Sequence, residues 1–540
     1  MENIKVYRKH YMFMKFPNQL PKKTFFFALL FIACLSVILR IIGICHKQSY
    51  SYDESNSFLS ITINNQTYLQ ALSETSPVFN KIVSAKDWHP YLSQIHYPFD
   101  LVKLKNENHD NISPLYYWLL HIVFAIFGVN MYNGLFVNLL LYIILLFYFY
   151  KFCELVFHRY SLLTLYAFTF LGFSYAVYQI NFEARQHLLF AVLTMIFTYY
   201  NFTWLLKNID FTWKHFLFNF IFSLLGCLCL ITFIFVIAGV LFIYVIHFKF
   251  NLRNHAIIKF CISVFSGFLC SEFTYPFIIR TIYSKINLSK NSTDTWWFVK
   301  IKVVLYSIGQ FFSYNRYLVY IFLIILFFVL IISLYHLILQ KKWSRLKKTN
   351  FFNYILIFTV YSFTFMILLY LFDKIPSNAV GEQYYMFIWP FFTISLIKSI
   401  DYFVSNYKLK HIFLLILSFL ILINGWIYYK KSWYLQFFVR DKSKFYHYVN
   451  RSELVITDNL HPSLTFRLLT QILPPNKKVL ITNIPISQIL DTLKYSNFLY
   501  LPNEKINDYS FSATNYKVIP QKFETEYEKD YITFYYFSKK

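Results

Sequence analysis

Four short stretches carry polar groups able to do chemistry in a chain that is otherwise apolar. The first is Tyr52-Asp53-Glu54, two adjacent carboxylates just past the first apolar run long enough to cross a membrane. Acids are scarce here, 26 against 51 Lys and Arg, and an acid pair at a bilayer surface points to catalysis. Adjacent residues on a helix point about 100° apart. One carboxylate can therefore face a substrate while the other serves the helix or a neighbouring piece of loop. The second stretch, Asn108-His109-Asp110-Asn111-Ile112-Ser113-Pro114, offers an imidazole and a carboxylate directly before a proline-started helix. The third, Asn181-Phe182-Glu183-Ala184-Arg185-Gln186-His187, is a short turn between two apolar runs. A guanidinium there suits a phosphate, because it stays charged and offers paired donors. The fourth, Gly381-Glu382-Gln383-Tyr384 through Pro390, leads into a late apolar run. Each has a plain alternative: solvated loop acids, a capped helix start, an exposed ion pair and an interfacial tyrosine belt.

The elements that must position these groups are membrane helices. The chain has 540 residues, 57% hydrophobic and only 14% charged, with several apolar runs of spanning length, so it reads as a polytopic membrane protein. The 65 Phe and 47 Tyr, alongside many Lys, Asn and Ile, fit an AT-rich coding bias, and aromatic abundance carries no functional weight. A net charge of +25 does not indicate nucleic acid, since the basic residues cluster between apolar segments and read as topology signals. The seven Cys include no Cys-x-x-Cys pair, so neither zinc nor a disulfide is implied.

Residues 1–23 are basic and are expected in the cytoplasm, followed by a first span at about 24–44 that is an anchor, not a cleaved signal peptide. Residues 45–113 then form a long outer loop, and 114–128, short and opened by Pro114, is expected to be an interfacial helix. Further spans are expected at about 131–152, 160–179, 187–206, 215–231, 233–248, 256–276, 315–340, 351–372, 383–400 and 411–429, about eleven in all. Lys151 with Arg159, Lys207 with Lys214, Lys249 with Arg253 and Lys259, Lys341 to Lys348, and Lys408 with Lys410 all fall on the inner side in this scheme. It requires the apolar stretch 215–248 to break near Ile231-Thr232. Residues 430–540 return to polar composition and read as a small extracytoplasmic α/β domain, with strands at Leu454 to Asp458, Lys478 to Thr482, Phe498 to Leu501 and Tyr531 to Tyr536. No glycine-rich phosphate fingerprint accompanies them. The fold class is thus a polytopic α-helical membrane protein with a small soluble α/β domain. It is expected to be integral to the plasma (inner) membrane.

In order and topological side, these motifs resemble the C-type membrane glycosyltransferases. The resemblance rests on Tyr52-Asp53-Glu54 opening the outer loop, Pro114-Leu115-Tyr116-Tyr117-Trp118-Leu119-Leu120-His121 with Phe127-Gly128 closing it, Glu183-Ala184-Arg185, and Tyr384 to Pro390. Within that class the chain is most similar to the protein O-mannosyltransferase and aminoarabinose transferase relatives. It departs from them at Ser113-Pro114, where two prolines are usual, at Gln383, where an Arg often precedes the late Tyr, and at His187, where an aromatic is common. The absent late Arg shifts phosphate binding onto Arg185.

The resemblance implies a polyprenyl-phosphate-linked sugar as donor and a glycan, lipid or protein acceptor. It implies Asp53 as the base on an acceptor hydroxyl or amine and an inverting displacement, with Arg185, helped by His109 or His187, on the leaving phosphate. Glu54 is expected to orient the loop or to share a metal site. Tyr52, Asp110, Glu183, Gln383 and Tyr384 are further substrate-site candidates. No cofactor is required, because lipid phosphate is already a good leaving group; a divalent metal is compatible with the acid pair but not indicated. A transporter or lipid flippase of envelope glycolipids is the rival class, set back by charges that collect at the outer face and by the lack of an inverted repeat. An inactive relative serving as an assembly subunit is the third.

Overall fold

The computed structural model describes residues 19–47, 54, 57–58, 61, 82–87, 114–275, 351–371, 386–403, 407–431, 441–458, 472–482, 486–490, 493–501, 515–524 and 531–540. Tyr52, Asp53, His109, Asp110, Gln383 and Tyr384 lie outside the described residues, as does the span expected at 315–340. The opening helix α1 (Lys22–His46) keeps Phe27, Leu30 and Phe31 more than half exposed. Such a surface suits lipid and not water.

Helix α2 (Leu115–Phe127) covers the segment expected at the interface and ends on Gly128, whose φ of 83° is a left-handed cap that glycine adopts without strain. Asn130 then caps α3 (Met131–Phe157) by accepting from the Tyr132 N–H, and Ser161 caps α4 (Leu162–Phe173) through the Leu163 N–H. The run expected as one span at 160–179 is broken at extended Ser174 into α4 and the short α5 (Tyr175–Asn181). The break frees the last carbonyls of α4, among them that of Gly172, from intrahelical bonding.

Next come α6 (His187–Leu206), α7 (Trp213–Cys229), α8 (Phe233–His247) and α9 (His255–Thr274). The apolar stretch 215–248 breaks at 230–232, where the Phe233 ring packs so closely on Gly226 that a Cβ there would lie 2.2 Å from it. Helices α10 (Phe351–Leu371), α11 (Trp389–Phe403) and α12 (Tyr407–Lys431) complete the apolar part. Among the described residues, five helical segments are long and apolar enough to cross a membrane: Lys22–His46, Met131–Phe157, His187–Leu206, His255–Thr274 and Lys408–Trp426. The chain is therefore an integral membrane protein.

Beyond α13 (Lys442–Arg451) the polar region forms strands β2 (Leu454–Asp458), β3 (Lys478–Thr482), β4 (Asn497–Leu501), β5 (Tyr516–Glu524) and β6 (Tyr531–Lys539), with a short helix α14 (Ile486–Ile489). They join strand β1 (Ile82–Ser84) in one six-stranded sheet of order β1-β3-β2-β4-β6-β5. Strands β3, β2 and β4 run parallel, and β6 and β5 are antiparallel additions at one edge. At the other edge β1, which belongs to the segment between α1 and α2, pairs antiparallel with β3. A loop of the membrane part thus supplies a strand to the sheet of the C-terminal part.

Candidate active site

The turn between α5 and α6 holds Glu183, Arg185 and His187, and four elements converge to fix it. Lys47, the residue after α1, carries a fully buried side chain whose ammonium pairs with the equally buried Glu54 and also donates to the Phe182 carbonyl. The other oxygen of Glu54 accepts the backbone N–H of Ala184 at 3.0 Å. One buried ion pair therefore ties the end of α1 and the segment that follows it to both sides of the turn. Charge-assisted bonds of this kind are stronger than neutral ones and hold a backbone to one geometry.

From α3, Asn138 donates to the carbonyls of Glu183 at 2.6 Å and Ile180 at 3.2 Å, while its own carbonyl accepts the Tyr116 hydroxyl of α2 at 2.7 Å. Tyr117 donates to Gln186 at 3.2 Å. Every one of these groups is buried. Hydrogen bonds in such surroundings are costly to leave unmade, which is how buried polar residues impose one arrangement on a loop.

A second layer lies below the turn. Arg40 of α1 is wholly buried, its guanidinium carbon 3.8 Å from the Tyr142 ring centre and 4.4 Å from that of Tyr178. It donates to the carbonyls of Ser36 at 2.8 Å and Gly172 at 3.0 Å, the latter among those freed by the break at Ser174. Tyr178 stacks in turn on Phe182, with ring centres 6.2 Å apart. Phe182 lies against Gly43, where a Cβ would come within 2.3 Å of the ring. A cation held between aromatic faces, a stacked ring and a glycine contact thereby support the turn from beneath.

The structure brings Glu54, Glu183, Arg185 and His187 together at this turn. Glu183 and His187 are buried, and Arg185 is half-buried, its backbone N–H donating to the Glu183 carbonyl at 2.8 Å. The late motif approaches through the turn Met386–Ile388, where Phe387 packs edge-on against Phe190 of α6 at 5.0 Å. Among the described residues, no three His, Cys, Asp or Glu side chains gather as a metal would require. Tyr116, Tyr117 and Gln186 fall within stretches noted in the sequence but were given no role there, and Lys47, Asn138 and Arg40 were not singled out. Arg40 and Asn138 had a signal available, being polar residues inside apolar runs.

Fold and site together define an integral membrane protein that builds a buried, charged turn at one end of its helices. No family model matches the chain, and no curated protein matches it. Among solved structures the chain is similar to ArnT from Cupriavidus metallidurans, solved bound to undecaprenyl phosphate. The match covers 94% of this chain and 97% of that one, at 9% identity and a TM-score of 0.47. A likeness of that degree assigns neither a family nor an activity.

Proposed function

We propose that the chain is a membrane glycosyltransferase that moves a sugar from a polyprenyl-phosphate donor to an acceptor hydroxyl or amine on the extracytoplasmic side. The observation that carries this reading is the buried Glu54, paired with Lys47 and bonded to Ala184. Asp53 immediately precedes Glu54 in the chain, and Glu54 is anchored to the turn. A carboxylate is thereby tethered to the stretch that bears Arg185.

In this mechanism Glu54, already committed to Lys47, is a positioning group and Asp53 is the base. Asp53 takes the proton of the acceptor as its oxygen or nitrogen attacks the anomeric carbon from the face opposite the lipid phosphate. The carbon–oxygen bond to the phosphate breaks, its electron pair stays on the phosphate, and the configuration inverts. Arg185 stabilises the departing charge, assisted by His187 or His109. The protein then spans the membrane with residues 1–23 inside and the 430–540 region outside, on the same side as the 45–113 loop.

The test is sugar release from a polyprenyl-phosphate sugar by purified protein, comparing wild type with Asp53→Asn and Arg185→Ala. A lost base predicts at least ~100-fold slower transfer with donor still bound. Wild-type activity in Asp53→Asn would overturn the base. If wild type neither binds nor cleaves any such donor, the transporter reading replaces this one.

A further inference from the structure

At the other end of α6 from the charged turn lies a cavity of about 430 Å³. Helix α6 has 20 residues, which at 1.5 Å each span about 30 Å, the thickness of a bilayer core. His187 opens this helix beside the turn, whereas Trp204 and Leu205 near its far end line the cavity. The cavity therefore faces the opposite membrane surface.

Its lining divides by chemistry. Trp204, Phe211 and Phe248 form aromatic walls, with the Trp204 ring edge-on to His215 at 4.1 Å. His255 and Lys259, both exposed, stand at its polar side with Asp210. The stretches that border it, 207–214 and 248–259, which include the first turns of α7 and α9, contain Lys207, Lys214, Lys249, Arg253 and Lys259 against the single acid Asp210; of these, Lys259 and Asp210 line the cavity itself and the other four lie around it. Trp213, Phe250 and Leu252 beside it are 60–70% exposed. Such exposed apolar side chains at helix ends belong at the level of lipid headgroups.

We infer that this cavity binds the phosphate headgroup of an anionic lipid from the leaflet opposite the charged turn. Lys259 in the lining, with Lys207, Lys214, Lys249 and Arg253 on the surrounding stretches, attracts a phosphodiester, and the aromatic walls cover the first acyl carbons; basic pockets between membrane helices take such headgroups. A bare phosphate ion would leave those walls without an apolar partner. A zwitterionic lipid would meet the same walls but gain nothing net from the excess of basic residues.

Native mass spectrometry of the whole protein in neutral detergent tests this, titrating phosphatidylglycerol and phosphatidylcholine of identical chains, with inorganic phosphate as competitor. The expected result is tighter retention of phosphatidylglycerol, weakened roughly fivefold in Lys259→Gln or Arg253→Gln, the contribution of one basic residue near a charged membrane surface. Both side chains are exposed, so an unchanged unfolding temperature in the variants accompanies that result. Equal retention of the two lipids, or unaltered phosphatidylglycerol retention in both variants, would overturn the assignment. Displacement of the lipid by millimolar inorganic phosphate would overturn it in favour of a free-anion site.

Discussion

Glu54 and Lys47 are buried to the same degree, and each makes the other tolerable. Removing one partner strands a charge away from water, whereas removing both leaves none to strand. Glu54→Gln is accordingly expected to cost about 3–5 kcal/mol. The double change Lys47→Met with Glu54→Leu should recover most of that loss, yet transfer should remain low because Ala184 keeps no acceptor for its N–H. Thermal unfolding and donor turnover, measured on the same three proteins, separate the two effects; a double variant as unstable as the single one contradicts the argument. Arg40 obeys a different rule. Its guanidinium cannot shed its proton to escape burial, and two tyrosine faces and two carbonyls substitute for water around it.

Helix α1 approaches the turn through Gly43, and the closeness of that approach decides what the site tolerates. Intrinsic helix preference favours Ala over Gly by about 1 kcal/mol. The new Cβ, however, would sit 2.3 Å from the Phe182 ring, and overpacking a tight contact costs about 1–3 kcal/mol. Packing is expected to win: Gly43→Ala lowers both the unfolding temperature and the rate of donor cleavage, since Phe182 and the turn move together. Adding Phe182→Leu should restore stability by making room. A Gly43→Ala protein more stable than wild type would mean that propensity dominates here. The break between α4 and α5 acts at the same scale, giving up continuity of one helix so that the Gly172 carbonyl can reach Arg40.

For the whole molecule, the strand β1 constrains topology more firmly than any charge count. Hydrogen-bonded strands of one sheet cannot lie on opposite sides of a bilayer, because an open edge is not tolerated in the hydrocarbon core. The segment between α1 and α2 must therefore share a side with the C-terminal sheet. Val83 stands opposite Val479, and antiparallel partners bring their Cα atoms within about 4.5–5.5 Å, inside the range of a disulfide. Val83→Cys with Val479→Cys should cross-link under mild oxidation in intact membranes, giving a bridged peptide pair by mass spectrometry. Its absence, with both thiols labelled from opposite sides, would contradict the shared sheet.

Much of the architecture was legible along the chain because hydropathy and turn chemistry act locally. Apolar runs marked helices at about 131–152 and 187–206, which the structure forms as 131–157 and 187–206, the interruption near Ile231 was visible, and the strands at 454–458, 478–482 and 498–501 stood out as short buried runs. Glu54 and the Glu183-Ala184-Arg185 turn were each recognisable as chemically unusual. Their union was not, because Ala184 lies 130 residues from Glu54 and no local preference reports which distant groups will share a buried site. Strand β1, three residues long, has too little pattern to announce itself and owes its conformation to the edge of β3. Sequence alone determined which segments are apolar or acidic and where most of the described helices lie, since those properties reside in neighbouring residues, but not that the run at 160–179 breaks at Ser174. Tertiary structure alone decided that Lys47 neutralises Glu54, that Arg40 lies between two rings and that a loop strand completes the sheet, since each depends on burial that only long-range packing creates.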